Sequence, residues 1–200
     1  MTQPMAPRAV IAVLMLALLV AGCAPGSQTV RLEPRPDVAR SDEGQGITVA
    51  LTVEDRRDDP VIGFRDGERG GEARIEPYED PALGIRRGVT RALERRGFEV
   101  VAAGVPADRR LHIALEALQY ERQAGVVTRG IHLEGRMSAR VERGDGDRYT
   151  GKARARSERR LVHSPSQTEN EQMINEVVTR MLERLLDEAP LREMLAGDRR

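Results

Sequence analysis

A period of two, running from residue 131 to residue 157, narrows the possible folds more than any other feature of the chain. Ile131, Leu133, Gly135, Met137, Ala139 and Val141 alternate with His132, Glu134, Arg136, Ser138, Arg140 and Glu142. Beyond the Gly-Asp-Gly-Asp of residues 144–147 the alternation resumes, with Tyr149, Gly151, Ala153, Ala155 and Ser157 set against Arg148, Thr150, Lys152, Arg154 and Arg156. Successive side chains of a strand point to opposite faces, so these residues predict a long hairpin with one apolar and one charged face. Parity fixes its register. A two-residue Asp-Gly turn would mix the faces, whereas the three-residue loop Gly144-Asp145-Gly146 pairs Arg143 with Asp147 and keeps them apart. That register sets Glu142 opposite Arg148, Glu134 opposite Arg156 and, less favourably, Arg136 opposite Arg154. On the apolar face it sets Ala139 against Gly151 and Gly135 against Ala155, small pairs that leave room for a helix to lie close.

The last helix is the natural occupant of that room. Met173, Ile174, Val177, Val178, Met181, Leu182, Leu185 and Leu186 form one apolar stripe. Thr168 and Glu171 have capping-box spacing before it, and Pro190 ends it. Leu191, Met194 and Leu195 can add a further turn. Upstream, Ile47, Val49, Leu51 and Val53 alternate with polar or small residues as a strand. Residues 61–64 and 73–78, around a Gly-rich stretch, suit a small hairpin or a mobile loop. Asp80 as N-cap, Pro81 at the first helical position and Gly97 as the left-handed stop frame a helix carrying Leu83, Ile85, Val89, Ala92 and Leu93. Leu111, Ile113, Leu115 and Ala117 mark one face of another strand. Both helices are apolar on one side only. The expectation is an α+β fold: a small, mostly antiparallel sheet with two helices packed on one face, the other face charged and solvated.

Lysine plus arginine and aspartate plus glutamate each number 32, so no net field favours a polyanion. Aromatic residues make up 2% of the chain, which argues against stacking platforms for single-stranded nucleic acid. His112 and His132 fall on the charged face and His163 in a loop, without metal-ligand spacing, and no serine sits in a nucleophile elbow. No catalytic, cofactor or metal site is expected, and the chain reads as non-enzymatic. The exposed cations Arg136, Arg140, Lys152, Arg154 and Arg156 form a candidate partner-binding face for anionic headgroups, saccharide phosphates or cell-wall carboxylates. A plain solvated face balanced by Glu134 and Glu142 is the simpler account. A second candidate is a cavity for a cell-wall or lipid fragment between helices and sheet, over Gly135, Ala139, Gly151 and Ala155.

The N-terminus reads as targeting. Arg8 precedes the unbroken apolar run Ala9 to Ala21, too short to span a bilayer but right for the core of a secretory signal. The run ends in Leu19-Val20-Ala21-Gly22-Cys23, which resembles the bacterial lipobox. That resemblance implies that residues 1–22 are removed and that Cys23, the only cysteine, carries diacylglycerol and an N-acyl chain. Ala24, where an aspartate would retain the protein at the inner membrane, implies the outer membrane, facing the periplasm. Residues 23–46, rich in Pro, Gly, Ser and charge, read as a flexible tether, with Thr29 to Leu32 able to form a short edge strand. Residues 47–200 make one domain. The lipobox, the first strand "GITVALTVEDRR", the helix exit Ile85, Val89, Leu93 and Gly97-Phe98, and the ending "INEVVTRMLERLLDEAPLREML" together resemble the YajG-like lipoproteins. The resemblance implies an outer-membrane lipoprotein and little about mechanism. The expected partners are the membrane, through the lipid, and an envelope protein or cell-wall component. Nucleic acid is not among them.

Overall fold

The computed structural model describes residues 26–66, 72–123 and 129–197. Cys23 and the signal lie outside them. The described residues form eight strands: β1 (Gln28–Val30), β2 (Thr48–Asp55), β3 (Gly63–Asp66), β4 (Glu72–Pro77), β5 (Glu99–Ala102), β6 (Arg109–Gln123), β7 (Arg129–Arg143) and β8 (Arg148–Leu161). Three helices accompany them: α1 (Pro81–Arg95), α2 (Gln167–Leu186) and α3 (Ala189–Ala196).

The small, mostly antiparallel sheet expected from the sequence is not what forms. The eight strands make one mixed sheet curled into a half-barrel. β1–β4, β2–β5, β2–β6 and β3–β6 pair parallel, while β3–β4, β6–β7 and β7–β8 pair antiparallel. The parallel content has a plain cause. α1 carries the chain across the sheet between β2 and β5, and a strand that returns by a crossover runs parallel to its predecessor. The long β6 then serves two neighbours on one side, β2 along its first half and β3 near Tyr120. At the changeover the ladder with β7 slips between Leu115 and Ala117, making a bulge at Glu116. The bulge moves Ala117 to the outer face, beside Arg136, and brings Leu118 and Tyr120 to the inner one.

The inner face is a set of apolar rows crossing the strands, such as Leu51–Leu111–Val141 and Val53–Ile113–Ala139. α1 covers β2 and β5, and α2 covers β7 and β8. Asp80 caps α1 by accepting from the Ala82 N–H at 2.9 Å. Leu83, expected on the apolar stripe, is exposed instead. The capping box of α2 is Ser166 with Glu169, two residues earlier than the Thr168–Glu171 spacing suggests. Arg109 and Arg143 are directly paired across β6 and β7, a like-charge contact. Both turn to the carbonyl end of α3: Arg109 Nε donates to Met194 O at 3.0 Å and Arg143 Nη2 to Glu193 O at 2.6 Å. The negative end of the helix offsets their repulsion.

The largest departure concerns the stretch read as a tether. From residue 28 onward it is part of the fold. β1 pairs with β4, and Val30, Leu32 and Val38 are fully buried. Residues 31–38 lie in the seam between α1 and α2. Four alternate backbone N–H groups donate to side chains one turn apart on α2: Arg31 to Glu171 (2.9 Å), Glu33 to Asn175 (2.7 Å), Arg35 to Thr179 (3.1 Å) and Asp37 to Glu183 (3.0 Å). The match is metric. Two residues of polyproline-like chain advance ~6.2 Å, and four residues of α-helix advance ~6.0 Å. Pro34 and Pro36 occupy the intervening positions, where no donor is needed, and hold Glu33 and Arg35 extended.

On the other side, α1 makes room with glycine at i and i+4. A Cβ on Gly84 would collide with the Leu32 carbonyl oxygen, and one on Gly88 would lie 2.9 Å from the Pro34 carbonyl oxygen. Gly84→Ala reverses an ordinary rule. Helix propensity favours alanine by about 1 kcal/mol, yet here overpacking against backbone should destabilise by roughly 1–3 kcal/mol net. Urea denaturation of the pair decides it, and a more stable variant would contradict the packing. A second expectation concerns acid. Asp108 accepts from the N–H and hydroxyl of Thr48 at 2.8 and 2.7 Å, which holds its carboxyl below the usual aspartate value. A depressed folded-state pKa contributes stability that is present above about pH 4 and lost as pH falls through the folded value. The stability difference between the protein and Asp108→Asn should therefore shrink on acidification below about pH 4.

Candidate partner-binding face

The β7–β8 hairpin builds this face, and its register is the one that parity requires. Glu134 pairs with Arg156, Gly135 with Ala155, Arg136 with Arg154, Ala139 with Gly151 and Glu142 with Arg148. The Arg143 N–H donates to Asp147 O at 2.9 Å, and Gly146 takes φ 97°, closing the three-residue loop. Arg136, Arg140, Lys152, Arg154 and Arg156 all point to the outer, helix-free side and all are exposed.

Their electrostatic situations differ. Arg154 and Arg156 converge on Glu134, at 3.3 and 3.0 Å. Among the described residues, Arg136, Arg140 and Lys152 have no carboxylate within ion-pair distance. These three surround Ser138, which pairs with Lys152 on one side and Ala114 on the other. Ala114 is buried, so small residues floor a patch walled by cations. Arg110 and Arg148, on either side of Glu142, continue it. The sequence pattern did not single out Arg110, because its place beside the hairpin depends on the β6 register.

The histidines are dispersed. His112 Nε2 lies 3.1 Å from Glu54, His132 Nδ1 3.4 Å from Glu158, and His163 Nε2 3.5 Å from Glu169. Among the described residues no group of three or more His, Cys, Asp or Glu could hold a metal ion. Burial pushes the Tyr120 hydroxyl up to about 12, so it stays protonated at neutral pH.

The alternative cavity between helices and sheet has no space. A Cβ on Gly135 would already meet Met181 Cε at 2.6 Å and Val177 Cγ1 at 3.2 Å, and the Glu188 carboxylate lies over Gly151. Ala139 and Ala155 are fully buried. The outer edge of β8 is also occupied. Arg180 Nη1 donates to Arg156 O at 3.4 Å and Arg184 Nη1 to Arg154 O. Guanidinium groups on those carbonyls block strand addition there.

The chain belongs to a family of uncharacterised lipoproteins, whose model matches residues 34–196. None of the curated proteins compared with it matches. Among solved structures, a protein from Xanthomonas campestris is similar at 17% identity and TM-score 0.47, covering 80% of this chain and 91% of its own. Rare lipoprotein B from Shewanella oneidensis is similar at 13% identity and TM-score 0.42, covering 73% and 96%. A lipoprotein from Neisseria meningitidis is similar at 13% identity and TM-score 0.35, covering 67% and 96%. No helix among the described residues is long and apolar enough to cross a membrane.

Replacing Glu134 should test how the face is held. Exposed ion pairs contribute about 1 kcal/mol or less, so Glu134→Gln should leave the urea midpoint nearly unchanged. A loss of several kcal/mol would mean that the pairs on Glu134 hold the hairpin together.

Proposed function

We propose that the protein is a non-enzymatic accessory lipoprotein of the bacterial outer membrane, anchored through lipid on Cys23 and facing the periplasm. It presents the outer face of β7 and β8 to an envelope partner with an acidic surface. The observation that carries this reading is the trio Arg136, Arg140 and Lys152: three exposed cations around a floor of small residues, without carboxylate partners among the described residues. A sheet face whose charges are mutually paired has little left to offer a partner, whereas unpaired cations steer and register an acidic one. Membership of a lipoprotein family supports the anchor, and Ala24 after Cys23 supports the outer membrane.

Charge reversal at these three positions tests the face without breaking an ion pair. In cells expressing the Arg136→Glu, Arg140→Glu, Lys152→Glu variant, in vivo crosslinking from the face should lose the species trapped by the wild-type protein. An unchanged set of crosslinks, with the variant folded and membrane-bound, would remove the face from the account. A mature protein without lipid on Cys23 would remove the anchor.

A further inference from the structure

The missing tether fixes how the domain meets its membrane. We infer that the domain docks directly on the phospholipid headgroups, end-on, through the turn that joins β8 to α2, with Arg160 and Val162 as the contacting residues. The inference rests on the proposed lipid anchor at Cys23. The first ordered strand begins at Gln28, and five Cα steps from Cys23 span at most ~18 Å. Gln28 is buried and held in place: its side-chain amide lies 2.7 Å from the Asn170 side-chain amide and 3.5 Å from Pro165 O. Gln167 Nε2 donates to Thr29 O at 2.7 Å. The anchored end of the chain therefore emerges beside residues 162–165. A headgroup layer is only about 5–8 Å deep, so this end of the domain is kept at the bilayer surface.

The chemistry of that end suits an interface. Val162 is 84% exposed, the most exposed of the large apolar side chains in the described residues. Arg160 is exposed and has no carboxylate partner among the described residues. Of the nearby carboxylates, Glu176 receives Arg159 Nη2 at 2.9 Å, Glu169 closes the capping box with Ser166, and Glu158, two residues before Arg160, lies 3.4 Å from His132 Nδ1. An apolar tip beside a free cation is the pairing that headgroup surfaces accept. β8 then acts as a mast. Its 14 residues extend roughly 45 Å, so the Gly144–Gly146 loop stands at the far end from the membrane.

The test uses the full chain, processed in a bacterial host and reconstituted in vesicles of phosphatidylethanolamine with a minority of phosphatidylglycerol. With Cys23 acylated, an introduced cysteine is the sole free thiol. A fluorophore is placed at His163→Cys or at Asp145→Cys, and quenching by a nitroxide-headgroup lipid is compared. His163 keeps the native Arg160 and Val162 beside the probe. Several-fold stronger quenching at 163 than at 145 is expected, and adding Arg160→Glu with Val162→Asp should lower the quenching at 163 several-fold while leaving that at 145 unchanged. Equal quenching at both sites, or quenching at 163 that the double change leaves unaltered, would overturn the inference. The intact mass separates the failures. A lipidated chain without preferential quenching overturns the docking alone, and an unlipidated chain, whose Cys23 thiol also takes the label, overturns the anchor and the docking together.

Discussion

Four hydrogen bonds from an extended chain to the flank of one helix set the register of the segment that fills the space between the two helices. The donors are the backbone N–H groups of residues 31, 33, 35 and 37, and the acceptors are side chains of residues 171, 175, 179 and 183. Neither partner could do this alone. A strand would need a second strand, and a helix flank normally meets another helix. The coincidence of a two-residue polyproline rise with a four-residue helical rise lets the two run in step. The segment then fills the seam between α1 and α2, and Gly84 and Gly88 let α1 close over it. With that seam filled, both helices sit on the inner face, and the outer face of the sheet is left free.

How much of this the sequence discloses depends on which interactions are local. The β7–β8 hairpin was legible to the residue, because alternation and loop parity admit a single register. The first two helices were legible from their stripes, Leu83 apart, but the expected end at Pro190 is instead the first turn of a separate third helix, and α2 stops at Leu186. What escaped depends on distant partners. The bulge at Glu116 follows from β2 leaving β6 where β3 joins it, and nothing within residues 109–123 announces that exchange. The N-cap of α2 moved from Thr168 to Ser166 because two overlapping spacings were available and the chain uses the earlier one. The tether was misread for a sharper reason. Pro34, Pro36 and the charged residues between them are the signature of a solvated linker, and they are also what a preorganised strap requires. The decisive acceptors lie more than a hundred residues downstream.

The candidate face is legible in part for the same reason. Arg136, Arg140 and Lys152 were placed by parity. That Glu134 draws Arg154 and Arg156 together while leaving those three free depends on side-chain reach across the sheet, which parity does not set. In the proposed end-on docking the strap also links the face to the membrane. With the domain tied at Gln28, the charged ladder would then run along a strand rising from the anchored end, with charges at successive positions on β8 at successive heights. The other edges are short, three residues in β1 and four in β5, and the β8 edge is covered by Arg180 and Arg184. The face, rather than an edge, is thus the surface free to meet a partner.

The dependence of the fold on the strap is most directly read by native-state hydrogen exchange of the backbone amides of residues 31–38. The account predicts that Arg31, Glu33, Arg35 and Asp37 exchange as slowly as the amides of α2, since they open only when the helix layer opens. Exchange of these four at the rate of an unstructured peptide, while α2 and the β6–β8 core stay protected, would contradict it.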